Sequence, residues 1–226
     1  MFDPQLASPP ARRPPLRGVI TDWGGVMTNP IMETVRAWIS ADEIDYDSYR
    51  SVMKAWVTGA YGPAGEDNPI HGLERGEFSN EEFERRLAAE IVCRDGSPVL
   101  AEGLLDRMFA ATVLSEPMQD LLRRVRQAGL KTAMLSNSWG VTAYPADLLT
   151  ELFDAVVISA EVGMRKPEER IFRHATGLLG LDPAECVFID DIEANVQAAE
   201  ALGMTGVLHT EPAATAARLA SLLGLP

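Results

Sequence analysis

Five residues stand where chemistry is done in many folds: Asp22, Ser136, Lys166, Asp190 and Asp191. Asp22 follows the short apolar run Gly18-Val19-Ile20-Thr21, Ser136 follows Thr132-Ala133-Met134-Leu135, and Asp190-Asp191 follow Cys186-Val187-Phe188-Ile189. Each has an ordinary reading alone, as a turn or helix cap, an N-cap or a solvated loop residue. Their joint occurrence after three separate runs of strand length predicts one crevice, because open parallel sheets bind ligands beyond the carboxyl ends of their strands. Three carboxylates in one crevice repel one another and need a cation. All-oxygen ligation favours a hard ion, and Mg²⁺ suits a site that also holds phosphate oxygens and water. Lys166 lies in Gly163-Met164-Arg165-Lys166-Pro167, ahead of a helical pattern that Pro167 is suited to open. A lysine there balances the carboxylates and holds a phosphoryl oxygen, while Ser136 and the amides after it donate to the same anion.

Those residues need a scaffold, and the pattern supplies one. Two further apolar runs, Ala155-Val156-Val157-Ile158 and Gly206-Val207-Leu208, complete a set of five strand-length segments. Helical spacing links them: Met118, Leu121, Leu122 and Val125 up to Gly129; Ile171, Phe172, Ala175 and Leu178 up to Gly180; Val196, Ala199 and Leu202 up to Gly203. This alternation predicts an α/β fold, a doubly wound parallel sheet whose strands are buried on both faces. Residues 31–112 interrupt it with helical spacing only, in Val35-Trp38-Ile39, Phe83-Leu87-Ile91 and Leu104-Leu105-Met108-Phe109, with a helix start at Asn80 and a Gly- and Pro-rich loop over 58–76. The organisation expected is a proline-rich arm over 1–16, an α/β core over 17–30 and 113–226, and a helical cap over 31–112.

Composition narrows the function. The 226 residues carry 33 acids against 20 bases, a net charge of −13, which repels nucleic acid and anionic membranes and argues against both as partners. Cys93 and Cys186 lack metal-ligand spacing and read as reduced structural thiols. No run approaches the ~20 apolar residues of a membrane span, and no secretory pattern opens the chain, so a cytoplasmic protein is expected.

Taken in order, the motifs resemble those of the haloacid dehalogenase superfamily. Asp22-Trp23-Gly24-Gly25-Val26 is similar to its first motif, Leu135-Ser136-Asn137 to the second, Arg165-Lys166-Pro167 to the third, and Phe188-Ile189-Asp190-Asp191 with Asn195 to the fourth. The resemblance spans about residues 17–210, and the inserted helices match the family's small cap. It implies an Asp22 nucleophile that forms an aspartyl-phosphate, and Mg²⁺ on Asp22, the Gly24 carbonyl and Asp191, with Asp190 as a further or outer ligand. Ser136, Asn137, Lys166 and the Trp23 amide would hold the phosphoryl group of a small phosphorylated metabolite, and Asn195 would brace the acidic loop.

One position departs from the family pattern. Its phosphatases usually carry a second aspartate two residues after the nucleophile, as proton donor; here that residue is Gly24. Such assistance is typically worth about 10²–10⁴ in rate. Three readings follow: a substrate with a good leaving group, a replacement acid from the cap (His71, Glu66 or Asp67, with His71 read as an exposed loop residue), or a binding domain that has lost turnover. A metal-free dehalogenase is a further alternative, opposed by the Asp190–Asp191 pair. Trp139 and Tyr144 are placed near the cleft, Trp23 at its mouth or against the cap, and Arg165 against surface acids or an anionic substrate.

Overall fold

The computed structural model describes residues 14–61, 68–139 and 144–225, without the side chains of 58–61. In chain order it contains β1 (Gly18–Thr21), α1 (Ile31–Ala41), α2 (Tyr46–Tyr61), α3 (Pro69–Glu74), α4 (Asn80–Glu90), α5 (Leu104–Met108), α6 (Glu116–Gln127), β2 (Lys131–Ser136), α7 (Ala146–Leu152), β3 (Ala155–Ile158), α8 (Ser159–Val162), α9 (Glu169–Leu179), β4 (Cys186–Asp190), α10 (Glu193–Ala201), β5 (Thr205–Leu208) and α11 (Pro212–Leu223). The five strands form one sheet in the order β3-β2-β1-β4-β5, parallel at every pairing.

Alternate residues of each central strand feed two cores. Val19, Met134, Val187 and Ile189 pack with Met118, Leu121, Leu122 and Val125 of α6 and Leu219 of α11. Ile20, Leu135 and Phe188 face the opposite side, against Ile171, Phe172 and Ala175 of α9 and Ala199 of α10. Burial on both faces is why these strands read as unbroken apolar runs. The first strand is central, so Asp22 emerges between the two strands that end in Ser136 and Asp190.

The first five of the six helices between β1 and β2, α1 to α5, share a third cluster around Trp38, Phe83, Leu87 and Leu104. They leave and re-enter the sheet region through a narrow neck. There Thr28 bridges Leu114, the Asn29 amide donates to the Val113 carbonyl at 2.8 Å, and the Val113 amide donates back to Asn29 Oδ1 at 2.9 Å.

Several local expectations need correction. The helix start at Asn80 is not among them, since α4 begins there, capped by Ser79, whose hydroxyl accepts from the Glu82 amide. Residues 58–76 are not one loop: α2 runs to Tyr61, and Asn68 and Pro69 start α3 with the Asn68 side chain accepting from Ile70 and His71. His71 is therefore a buried helical residue, because α3 packs against α2 and α4. Pro167 precedes α9 by two residues instead of opening it. The expected arm, apart from residues 14–16, lies outside the described residues, as do Glu66 and Asp67.

Candidate active site

At the carboxyl edge of the sheet, Asp22, Asp190 and Asp191 each present a carboxylate oxygen within 4.8 Å of the others. Lys166 joins them: its Nζ lies 2.8 Å from Asp22 Oδ1 and 2.7 Å from Asp190 Oδ2. That lysine is 1% exposed and sits 5.7 Å above the Phe188 ring. Its placement is enforced by a reciprocal clamp from the β2 end: Asn137 Oδ1 accepts from the Lys166 amide at 2.8 Å, and Asn137 Nδ2 donates to the Lys166 carbonyl at 3.1 Å.

Each acid has a different environment. Asp190 is fully buried and occupied on both oxygens. The Ile192 amide donates to Oδ1 at 2.8 Å, and Asn195 Nδ2 reaches both oxygens at 3.1 and 3.2 Å. Asp22 accepts from the Trp23 amide at 2.7 Å on the oxygen that Lys166 also touches. Burial pushes Asp22 up to about 7; Lys166 opposes the shift, and Asp190 and Asp191 add to it. Desolvation and the Asp190 charge push Asp191 up to about 6. Burial pulls Lys166 down, but Asp190 and Asp22 outweigh it and hold the ammonium above its ordinary value. Three acids against one ammonium leave surplus negative charge, which a divalent cation relieves.

The backbone is shaped around that charge. Gly25 has φ of +77°, and a Cβ there would lie 2.3 Å from Asp191 Oδ2, so the Asp191 carboxylate is seated against bare backbone. The donor set is all oxygen, as Mg²⁺ requires, and these residues fit that ion. Gly24 is less constrained: its φ is not positive, and a Cβ would lie 3.0 Å from Ile31 Cδ1, the end of a side chain. The first residue of α1 thus stands beside the place where a side chain at position 24 would project.

Above this floor opens a cavity of about 630 Å³. Asp22, Gly24, Ser136, Lys166 and Asp191 line its base, and Val35, Met53, Leu105, Met108 and Phe109 of the insertion line its wall. Ser136 Oγ is 3.1 Å from the Tyr144 hydroxyl, and Tyr144 meets Trp23 edge-on at 5.4 Å between centroids. Tyr144 and Trp139 both line the cavity, as does Trp23, whose ring is buried in the sheet core.

Glu74, which sequence reasoning did not single out, joins the insertion to the sheet region. Its Oε2 accepts from Arg165 Nε and its Oε1 from Trp139 Nε1 at 3.0 Å. The Glu74 and Arg165 side chains are 2% and 4% exposed. Arg165 thus pairs inside the protein and not with surface acids. Only a three-dimensional juxtaposition reveals this contact, because the partners are 91 residues apart.

A family model for haloacid dehalogenase-like hydrolases matches residues 16–203. Among curated proteins, acyl-CoA dehydrogenase family member 10 of Mus musculus is 30% identical over 93% of this chain and 19% of its own length. The sesquiterpene phosphatase AstK of Aspergillus oryzae is 35% identical over 47% of this chain and 56% of its own. The chain therefore spans about a fifth of one relative's length and about half of the other's. Among solved structures, a haloacid dehalogenase family enzyme of Bacteroides thetaiotaomicron, in complex with magnesium and inorganic phosphate, superposes with a TM-score of 0.63 at 22% identity, covering 86% of this chain and 94% of that one. With the family model covering most of its length and the acids, serine and lysine gathered at one sheet edge, the chain belongs to the haloacid dehalogenase-like hydrolases.

Proposed function

We propose that this chain is a magnesium-dependent phosphatase acting on a small phosphorylated metabolite through a covalent phosphate on Asp22. One observation carries the reading: the Asp22 carboxylate, fixed by Lys166 Nζ and the Trp23 amide, lies at the base of a cavity beside Asp191. Asp22, the Gly24 carbonyl and Asp191 would hold Mg²⁺, with Asp190 steadying Lys166 behind them. The ion, when bound, neutralises the acids and the phosphoryl oxygens so that two anions can meet.

The chain's own groups account for the rest. An Asp22 oxygen attacks phosphorus, and the bond from phosphorus to the ester oxygen breaks. The departing alkoxide takes its electron pair and then a proton from water. A second water attacks the phosphorus of the acyl phosphate, restoring the Asp22 carboxylate and releasing inorganic phosphate. Monoester and water give alcohol and phosphate. Lys166 has three N–H groups and uses two on Asp22 and Asp190, which leaves one for a phosphoryl oxygen. Ser136 and the Asn137 amide complete the cradle, which works by positioning and charge stabilisation. The helical insertion serves as the cap, excluding water during transfer. The phosphatase named among the relatives supports this reading, as does the magnesium and phosphate complex of the Bacteroides enzyme. A cytoplasmic setting belongs to the same reading; among the described residues no helix is long and apolar enough to cross a membrane.

The test is phosphate release from a panel of phosphomonoesters with Mg²⁺, with chelator, and with Asp22→Asn. Release that stops with chelator and with Asp22→Asn supports the reading. Equal rates in wild type and Asp22→Asn overturn it, and chelator-insensitive halide release from 2-haloacids would replace it with dehalogenation.

A further inference from the structure

We infer that the substrate is a monophosphate whose remaining body is uncharged and hydrocarbon-rich. This inference rests on the base of the cavity being a phosphoryl-transfer site and adds what the walls select. The insertion lines the cavity with Tyr49, Glu74, Asp106 and Thr112 and with a larger apolar group that includes Ile31, Val35, Met53, Leu105, Met108 and Phe109. No side chain in that apolar group carries a nitrogen or oxygen. Among the described lining residues, Lys166 is the only cation, and it is already engaged by Asp22 and Asp190. The remaining charged groups lining the cavity are acids: Asp22 and Asp191 at the base, Glu74 and Asp106 from the insertion. Glu74 is committed to Arg165 and Trp139, and Asp106 is exposed.

A second anionic group, such as another phosphate or a carboxylate, therefore finds acids and hydrocarbon but no free countercharge in these walls. A polyol would trade most of its hydrogen bonds to water for hydrocarbon, because Tyr49 and Thr112 are the only uncharged polar side chains that the insertion's described residues bring to the lining. An apolar body gains by leaving water. The volume of about 630 Å³ lies within the ~300–1,000 Å³ of pockets that enclose whole small molecules, well beyond one phosphate. Met32, Met53 and Met108 line it together, and flexible thioethers adapt to chains of varied shape. Ile31 extends the hydrocarbon down to the reacting end, since its Cδ1 lies 3.0 Å from where a Gly24 Cβ would be.

The probe is a series of straight-chain alkylphosphonates from ethyl to octyl, whose C–P bond resists hydrolysis, so the full chain with Mg²⁺ can be titrated by calorimetry without turnover. Kd is expected to fall about fourfold per added methylene, the equivalent of about 0.8 kcal/mol per buried CH₂, until the chamber is filled. Met53→Gln should shrink the octyl-to-ethyl ratio of Kd values. Inorganic phosphate that binds while Kd stays flat with chain length overturns the inference and leaves the phosphatase reading standing. A sugar phosphate or nucleotide binding more tightly than octylphosphonate does the same. Binding of neither inorganic phosphate nor any phosphonate overturns both.

Discussion

Gly24→Asp, made together with Ile31→Ala, should speed the proposed phosphatase reaction. A Cβ at position 24 would meet Ile31 Cδ1 at 3.0 Å and Cγ1 at 3.6 Å, so the carboxylate needs the space that Ile31 occupies. Truncating this half-buried side chain should cost about 1 kcal/mol, below the ~2–5 kcal/mol typical of fully buried isoleucine. The new acid enters a pocket where Asp22 and Asp191 are already pushed up to about 7 and about 6. Burial beside these carboxylates favours the protonated form of the new acid, the form that donates to a leaving group. General-acid help of about 10²–10⁴ corresponds to roughly 2.7–5.4 kcal/mol of barrier. A gain near the lower end, about 10²-fold in kcat, is expected because this pocket did not evolve around the acid. The assay compares phosphate release from an alkyl phosphate, whose alkoxide leaves poorly, with release from an aryl phosphate, whose phenoxide needs little help. Acceleration confined to the alkyl ester, and absent from Gly24→Asn with Ile31→Ala, supports the reasoning. An unchanged alkyl rate, or equal gains on both esters, refutes it.

Other perturbations test other parts of the site. Asp190→Asn sets an amide against donors from Asn195 and the Ile192 backbone and removes one of the two anions on Lys166. Breaking such a buried pair costs about 3–5 kcal/mol, so Tm should fall by roughly 10 °C in thermal melts; a fall under about 2 °C would contradict it. Glu74→Ala strips Arg165 and Trp139 of their shared acceptor and should lower stability by a similar ~3–5 kcal/mol in urea titration. Tyr144→Phe removes the hydroxyl 3.1 Å from Ser136 Oγ, a net hydrogen bond worth about 1 kcal/mol, and should lower kcat/KM by up to about fivefold while Tm falls by only about 2–4 °C. Burial pushes the Cys186 thiol up to about 12, and the residue is inaccessible while Cys93 is half-buried. A thiol reagent at pH 8 should therefore label Cys93 alone until the protein is denatured.

What the sequence disclosed follows from where its signals are local. The runs before Asp22, Ser136 and Asp190 are strands buried on both faces, so composition alone marks them, and the polar residue that ends each run marks the sheet's carboxyl edge. The surplus of acids around Lys166 is legible for the same reason. Helix α11 gives a weak signal because Pro212–Leu223 is rich in alanine, with only Thr215 and Leu219 buried. The Glu74 contact, the Asn137 clamp on the Lys166 backbone and the approach of Ile31 to Gly24 are products of packing between distant segments, and no spacing rule announces them. Around His71, Gly and Pro suggest a loop, whereas Asn68 and Pro69 begin a helix in which His71 is buried.

The Glu74–Arg165 pair also bears on how easily the chamber could exchange its contents. Two apolar faces pressed together resist parting because separation wets them both. A carboxylate and a guanidinium sealed from solvent behave differently, since each recovers its hydration when they separate, offsetting much of the lost attraction. The seam between inserted helices and sheet is thus fastened by a contact whose broken form water stabilises. Under the proposed function, a chamber that admits an apolar ester and discharges an alcohol gains a closure that is specific in register yet reversible.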